Sequence, residues 1–167
     1  MHEVTDTESA ATPGVDTVTV SVDATPEKVW ALVTDLGRMG EWSPETTSCH
    51  WLGRTREPAV GATFVGFNRR GWARWATTNR IEEVDPGRAF GFRVRETGVR
   101  WGYVIEPDGD GCRLTETRDV RRARTWLIRA TGPFVGGMED HADELREGMR
   151  VTLDRIKAAA EAGNPAA

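Results

Sequence analysis

From Thr46 to Val120 the chain is a series of period-two segments: Thr46–Leu52, Ala62–Asn68, Ala73–Glu83, Ala89–Arg95, Val99–Glu106 and Cys112–Val120. Side chains alternate faces along an extended strand, so alternating apolar and polar residues mark strands with one buried side. Most gaps between segments are short and carry turn chemistry: Asn68-Arg69-Arg70-Gly71, Asp85-Pro86-Gly87, Thr97-Gly98 and Pro107 to Gly111. Gaps of this length leave no room for a crossover helix, so the strands must pair antiparallel with their sequence neighbours. The rest of the fold must cover the apolar face of that sheet.

The flanks supply the cover. Thr17–Val22 adds a strand through Val18, Val20 and Val22. Thr25 then reads as an N-cap, with Pro26 at the first helical position and Val29, Trp30, Leu32, Val33 and Leu36 as an apolar stripe. Gly37 is a reasonable stop, Arg38 to Trp42 can add a turn, and Ser43-Pro44 is a break. Residues 121–133 are irregular, beginning with Arg121, Arg122 and Arg124 and continuing through Trp126, Leu127 and Ile128, the composition of a lid. Pro133 opens a long helix to about Ala162, with an inner stripe of Phe134, Met138, His141 or Ala142, Leu145, Met149, Thr152 or Leu153, and Ile156. Such a helix is roughly 40 Å long, more than a small sheet needs. The expected fold is α+β: a curved, seven-stranded antiparallel sheet wrapped round a long C-terminal helix, with short helices after the first strand. Residues 16–162 form one domain, and 1–15 and 163–167 read as disordered tails.

Composition narrows the function. A net charge of -4 argues against binding a phosphate backbone, so no nucleic-acid partner is expected. No apolar run reaches membrane-span length, so no stable membrane insertion is expected. The N-terminus lacks a secretory pattern, and a cytoplasmic protein, monomer or homodimer, is the default. Cys49 and Cys112 make neither a disulfide framework nor a metal site, and no metal or cofactor motif occurs. The acidic run from Glu139 to Glu144 scatters round a helix and reads as a solvated face. Seven Trp against one Tyr is a skew toward residues that line cavities and interfaces.

Several stretches together resemble a known family. They are Val20 to Asp35, Glu41-Trp42-Ser43-Pro44, Val60 to Phe64, Gly66 to Arg69, Trp75, Val84 to Arg88, Trp101-Gly102-Tyr103, Glu106-Pro107, Gly111 to Thr117 and Met149 to Lys157. In this order they resemble the START-like, helix-grip superfamily called SRPBCC, in its polyketide cyclase/dehydrase-like branch, over residues 16 to 162. The resemblance implies a deep, mostly apolar pocket between sheet and C-terminal helix. Members use it to bind lipids, steroids, plant hormones or polyketides, and a few also catalyse cyclisation or dehydration.

Strand parity selects what would face that pocket. Phe64 shares a face with Gly66 and Asn68; Ile81 with Asn79, Thr77 and Trp75; Phe90 with Phe92 and Val94; Trp101 with Tyr103 and Ile105; Leu114 with Cys112, Glu116 and Arg118. From the long helix Phe134, Met138, His141 and Leu145 join them. One bulge would flip part of any strand. The polar members, Asn68, Asn79, Tyr103, Glu116 and Arg118, each need a reason to sit on an apolar face. They can orient a ligand, or Glu116 and Arg118 can pair with each other or a neighbour, and Asn68 can cap a hairpin. Glu116, Arg118, Tyr103 and His141 are the candidates for chemistry, and His50 and Cys49 take opposite faces of their strand. Two functions follow: a carrier or binding protein for a small hydrophobic molecule, lipid- or polyketide-like, or a polyketide aromatase/cyclase or dehydratase acting in the same cavity. A third is an interaction module using its acidic helix.

Overall fold

The computed structural model describes residues 12–124, 126 and 139–162. Strand β1 (Val15–Val22) leads to helix α1 (Pro26–Thr34), a 3-10 turn (Leu36–Arg38) and helix α2 (Met39–Trp42). Strands β2 (Thr46–Leu52), β3 (Thr63–Arg70), β4 (Ala73–Asp85), β5 (Ala89–Val94), β6 (Arg100–Asp108) and β7 (Gly111–Asp119) follow, and helix α3 spans Glu139–Glu161. All seven strands form one antiparallel sheet in the order β1-β7-β6-β5-β4-β3-β2. From β2 to β7 the strands are a meander, as the turn chemistry requires. β1 closes the far edge by pairing with β7, a contact no local signal announces.

The differences from expectation are local. β1 begins at Val15, opposite Asp119, within the stretch read as a tail. Bulges fall between Thr46 and Ser48 in β2 and between Ile81 and Glu83 in β4. The expected helix start at Pro133 and most of the expected lid lie outside the described residues.

Helix α1 forms where the sequence places it. The Thr25 hydroxyl accepts from the Lys28 N–H at 3.4 Å, and Pro26 fills the first turn. Val29 and Val33 are buried, with Leu36, Met39 and Trp42 continuing the same face. Helix α3 is clamped at its C-terminal end: Lys157 Nζ donates to the Ser21 carbonyl at 2.6 Å, and Glu161 accepts from the Asp23 N–H at 2.8 Å. Its Met149, Leu153, Ile156 and Ala160 are buried. The core opposite is aromatic. Phe64 meets Phe92 edge-on at 5.2 Å, Phe92 tilts on Phe90 at 6.0 Å, and Trp30 and Trp51 extend the chain of rings at 6.4 and 6.3 Å. Beneath the C-terminal half of α3 the concave face is therefore filled by side chains. At the strand ends around Asn68, Trp75 and Trp101 the same face is only half-buried.

Candidate ligand-binding face

The register shows which side chains share the concave face. Asn68 lies opposite Trp75, Gly66 opposite Thr77 and Phe64 opposite Asn79. Ile81 faces Phe92 and, past the bulge, Val84 faces Phe90. Phe90 continues to Tyr103, and Phe92 to Trp101. Tyr103 then lies opposite Glu116, and Trp101 opposite Arg118. The β4 bulge comes after the polar positions, so their parity is undisturbed. Leu145 is half-buried on α3; the His141 side chain, Phe134 and Met138 lie outside the described residues.

Two polar groups stand on this face. On β6 and β7 the Tyr103 hydroxyl donates to Glu116 Oε1 at 2.9 Å, both residues being buried. Glu116 is 3% exposed, and its Oε2 has no hydrogen-bond partner among the described residues. Burial pushes the carboxyl up to about 8, against the opposing effect of the Tyr103 hydrogen bond. The same burial, followed by the charge of Glu116, keeps the Tyr103 phenol well above its ordinary value. At neutral pH the pair is thus a phenol donating to a protonated carboxyl. Tyr103 occupies Oε1, so the acid proton belongs on Oε2, where it is free to meet something else.

The second group runs across β2, β3 and β4. Thr46 Oγ1 donates to Asn68 Oδ1 at 3.0 Å, and Asn68 Nδ2 donates to the Gly66 carbonyl at 3.3 Å and to Thr77 Oγ1 at 3.4 Å. Buried Asn79 donates from Nδ2 to the Thr77 carbonyl at 3.2 Å and to its Oγ1 at 3.3 Å. Gly66 leaves room for the cluster, since a Cβ there would crowd Thr77 Oγ1 at 3.3 Å and touch Asn79 Nδ2 at 3.4 Å. Asn68 is therefore bonded across the sheet, beyond any capping of its hairpin.

Arg118 does not pair with Glu116. Its guanidinium meets Asp16 on β1 at 2.8 Å, and Arg146 of α3 meets the other Asp16 oxygen at 2.9 Å. This bridge ties β7, β1 and α3 together at the half-buried end of the face. Sequence reasoning missed Asp16, which is 102 residues from Arg118. It also missed Thr46. The β2 bulge puts Thr46 and Cys49 on the concave side, whereas His50 is exposed and packs its ring on Phe67. The Cys49 thiol is pushed up to about 11 by burial, so it is neither thiolate nor nucleophile at neutral pH. A further orphan is the buried indole N–H of Trp42, without a partner among the described residues. Half-buried Glu45 has its carboxyl raised by desolvation, opposed by Arg70 and Arg118.

Two open cavities lie away from the Tyr103–Glu116 pair. One of about 520 Å³ is bordered by Pro44, Glu45, Thr47, Arg69, Arg70, Gly71 and Glu144. The other, about 230 Å³, is lined by Arg80, Glu82, Arg93, Val94, Arg95, Gly98, Arg122 and Arg124. No cluster of three or more metal-ligating side chains occurs among the described residues.

Comparison with known proteins bears on this geometry. Residues 16–161 match the family model described as polyketide cyclase / dehydrase and lipid transport. The chain belongs to that family. Among solved structures it is similar to the Polyketide_cyc-like protein Cgl2372 from Corynebacterium glutamicum, at 30% identity and a TM-score of 0.54, covering 88% of this chain and 91% of that one. The di-domain ARO/CYC StfQ from the steffimycin biosynthetic pathway matches at 13% identity and a TM-score of 0.66, over 89% of this chain and 50% of StfQ. Ginseng major latex-like protein 151 from Panax ginseng matches at 11% identity and a TM-score of 0.64, over 88% and 97%. At such identities the last two establish the fold alone. No curated protein matches the sequence. The polyketide cyclase / dehydrase and lipid transport family thus combines here with a helix-grip, SRPBCC-like fold: a seven-stranded sheet gripping a long C-terminal helix.

Proposed function

We propose that the chain binds a small, mostly apolar molecule, lipid- or polyketide-like, on the concave face between sheet and α3, as a carrier or binding protein. The observation that carries this reading is Glu116 Oε2: a buried polar atom without a partner among the described residues, on a face it shares mostly with aromatic and aliphatic side chains. A buried polar atom left unpaired costs about 1–3 kcal/mol, and a ligand carbonyl or hydroxyl bonded to it recovers that cost. Trp101 on β6, near Glu116, and Trp75, Thr77 and Asn68 further along the same face on β4 and β3 are half-buried and would hold the ligand's apolar body. Phe64, Phe90 and Phe92 form the packed floor rather than free lining.

Native mass spectrometry of freshly purified protein, compared with its denatured mass, tests the reading. An added mass lost on denaturation and reduced in Trp101→Ala supports it and identifies the ligand class. A bare native mass, together with no binding of fluorescent apolar probes, overturns it.

One observation favours a second reading, a polyketide aromatase/cyclase or dehydratase. A carboxyl that stays protonated at neutral pH beside a phenol is suited to general acid work. Glu116 would give the Oε2 proton to a departing hydroxyl or a developing enolate oxygen, with Tyr103 holding Oε1. Arg118 is a weaker participant, since Asp16 already neutralises it. Unchanged turnover of a cognate substrate by Glu116→Gln rules this out.

A further inference from the structure

We propose that one end of the sheet, built round the β3–β4 hairpin, docks on an anionic lipid bilayer with Trp72 at headgroup depth. Topology assembles this end. In an antiparallel meander the β3–β4 and β5–β6 turns, the exit of β7 and the entry of β1 all fall at one end of the sheet. Helix α3 approaches it as well, through the ion pairs of Glu144 with Arg70 and of Arg146 with Asp16.

The hairpin tip is an unusual surface. Gly71, at φ +57°, turns the chain and leaves Trp72 84% exposed. Arg69 and Arg74 lie directly opposite each other across the hairpin. Like charges so placed repel, and neither guanidinium has a carboxylate partner among the described residues. The same holds for Arg95 in the β5–β6 turn and for Arg122 and Arg124 beyond β7, which line one cavity beside the strand ends. Trp126 follows, 67% exposed. The opposite end mixes the two signs in its turns, with Asp23, Asp85, Asp108 and Asp110 beside Arg54, Arg56 and Arg88. In a chain of net charge -4, cations without a carboxylate partner among the described residues thus stand together with exposed indoles at this end. Cations select an anionic surface, and indole prefers the boundary between headgroup and hydrocarbon. Among the described residues no helix is long and apolar enough to cross a membrane, so the contact is peripheral. The docking stands apart from the ligand reading, because these side chains are not those of the concave face.

Sedimentation with vesicles tests it. The full chain is mixed with vesicles of phosphatidylcholine, or of equal parts phosphatidylcholine and phosphatidylglycerol. Binding is expected to the mixed vesicles alone and to fall as salt rises. Trp72→Ala and the double variant Arg69→Gln/Arg74→Gln should each lower partitioning about tenfold. Arg54→Gln/Arg56→Gln removes the same charge at the opposite end and should leave partitioning unchanged. All are exposed positions, and unchanged thermal unfolding confirms that each variant is folded. No binding to the mixed vesicles overturns the proposal. So does full binding by Trp72→Ala, the signature of a purely ionic contact with a soluble polyanion, and so does an equal loss in the control. Native mass measured without vesicles reports on the ligand site separately, so either reading can fail alone.

Discussion

Glu116 has the most pH-dependent environment on the concave face. Folded, it holds its proton to about pH 8; its ordinary value is 4.5. Between those limits the folded protein binds a proton that the unfolded chain has released, so stability falls as pH rises. The loss is on the order of 3–5 kcal/mol across the window, complete near pH 8 and absent below about 4.5. Glu116→Gln cannot ionise and should flatten this slope. Thermal unfolding followed from pH 5 to 8.5 should show the variant overtaking the wild type as pH rises; parallel curves would place the carboxylate in a wetter site. Tyr103→Phe leaves both Glu116 oxygens unpaired and removes the hydrogen bond that lowers the carboxyl's pKa. The variant should be less stable by about 1–3 kcal/mol at alkaline pH, with its transition displaced upward. Both side chains were legible in the sequence, because period two put a Tyr and a Glu among aromatics. Their contact was not, because parity names a face and not a partner.

At the scale of elements, the close seating of α2 on β2 sets which residues of β2 face inward. Ser43 Oγ accepts from the Thr46 N–H at 3.0 Å, and the bulge follows at once. A Cβ on Gly40 would fall 2.3 Å from the Thr47 carbonyl oxygen, so helix and bulge fit only with glycine there. Gly40→Ala should cost about 1–3 kcal/mol or more, because backbone rather than a flexible side chain must move. A drop in midpoint temperature of several degrees is the expected reading. If Thr46 and Cys49 also turn from the concave face, their amide signals will shift together. The sequence marked this place with Ser43-Pro44 as a break. It carried no sign of a bulge, which answers to the helix packed above it.

Over the whole molecule α3 decides whether the sheet encloses anything. Leu153 and Ile156 are fully buried where Lys157 and Glu161 fasten the helix to the end of β1. Leu153→Ala should destabilise the fold by about 2–5 kcal/mol, measured by denaturant unfolding. The Asp16 bridge acts at the other end of the contact. Asp16→Asn leaves Arg118 and Arg146 without their shared carboxylate. We expect a stability loss of about 1 kcal/mol, the pair being partly solvated, and a larger loss in the native-state ligand signal. The reverse order would make the bridge purely structural.

The antiparallel meander, the N-terminal cap of α1, the long terminal helix and the shared face of Tyr103, Glu116, Asn79 and Trp101 were determined by the sequence alone. Each rests on local physics, since alternation, turn residues and helix caps act over a few residues. The tertiary structure decided the rest: that β1 closes on β7, that Arg118 is held by Asp16 and not by Glu116, that the β2 bulge turns Thr46 and Cys49 inward, and that Glu116 keeps a proton. Those outcomes depend on pairings across the chain and on how far water is excluded, which become defined only when sheet and helix meet.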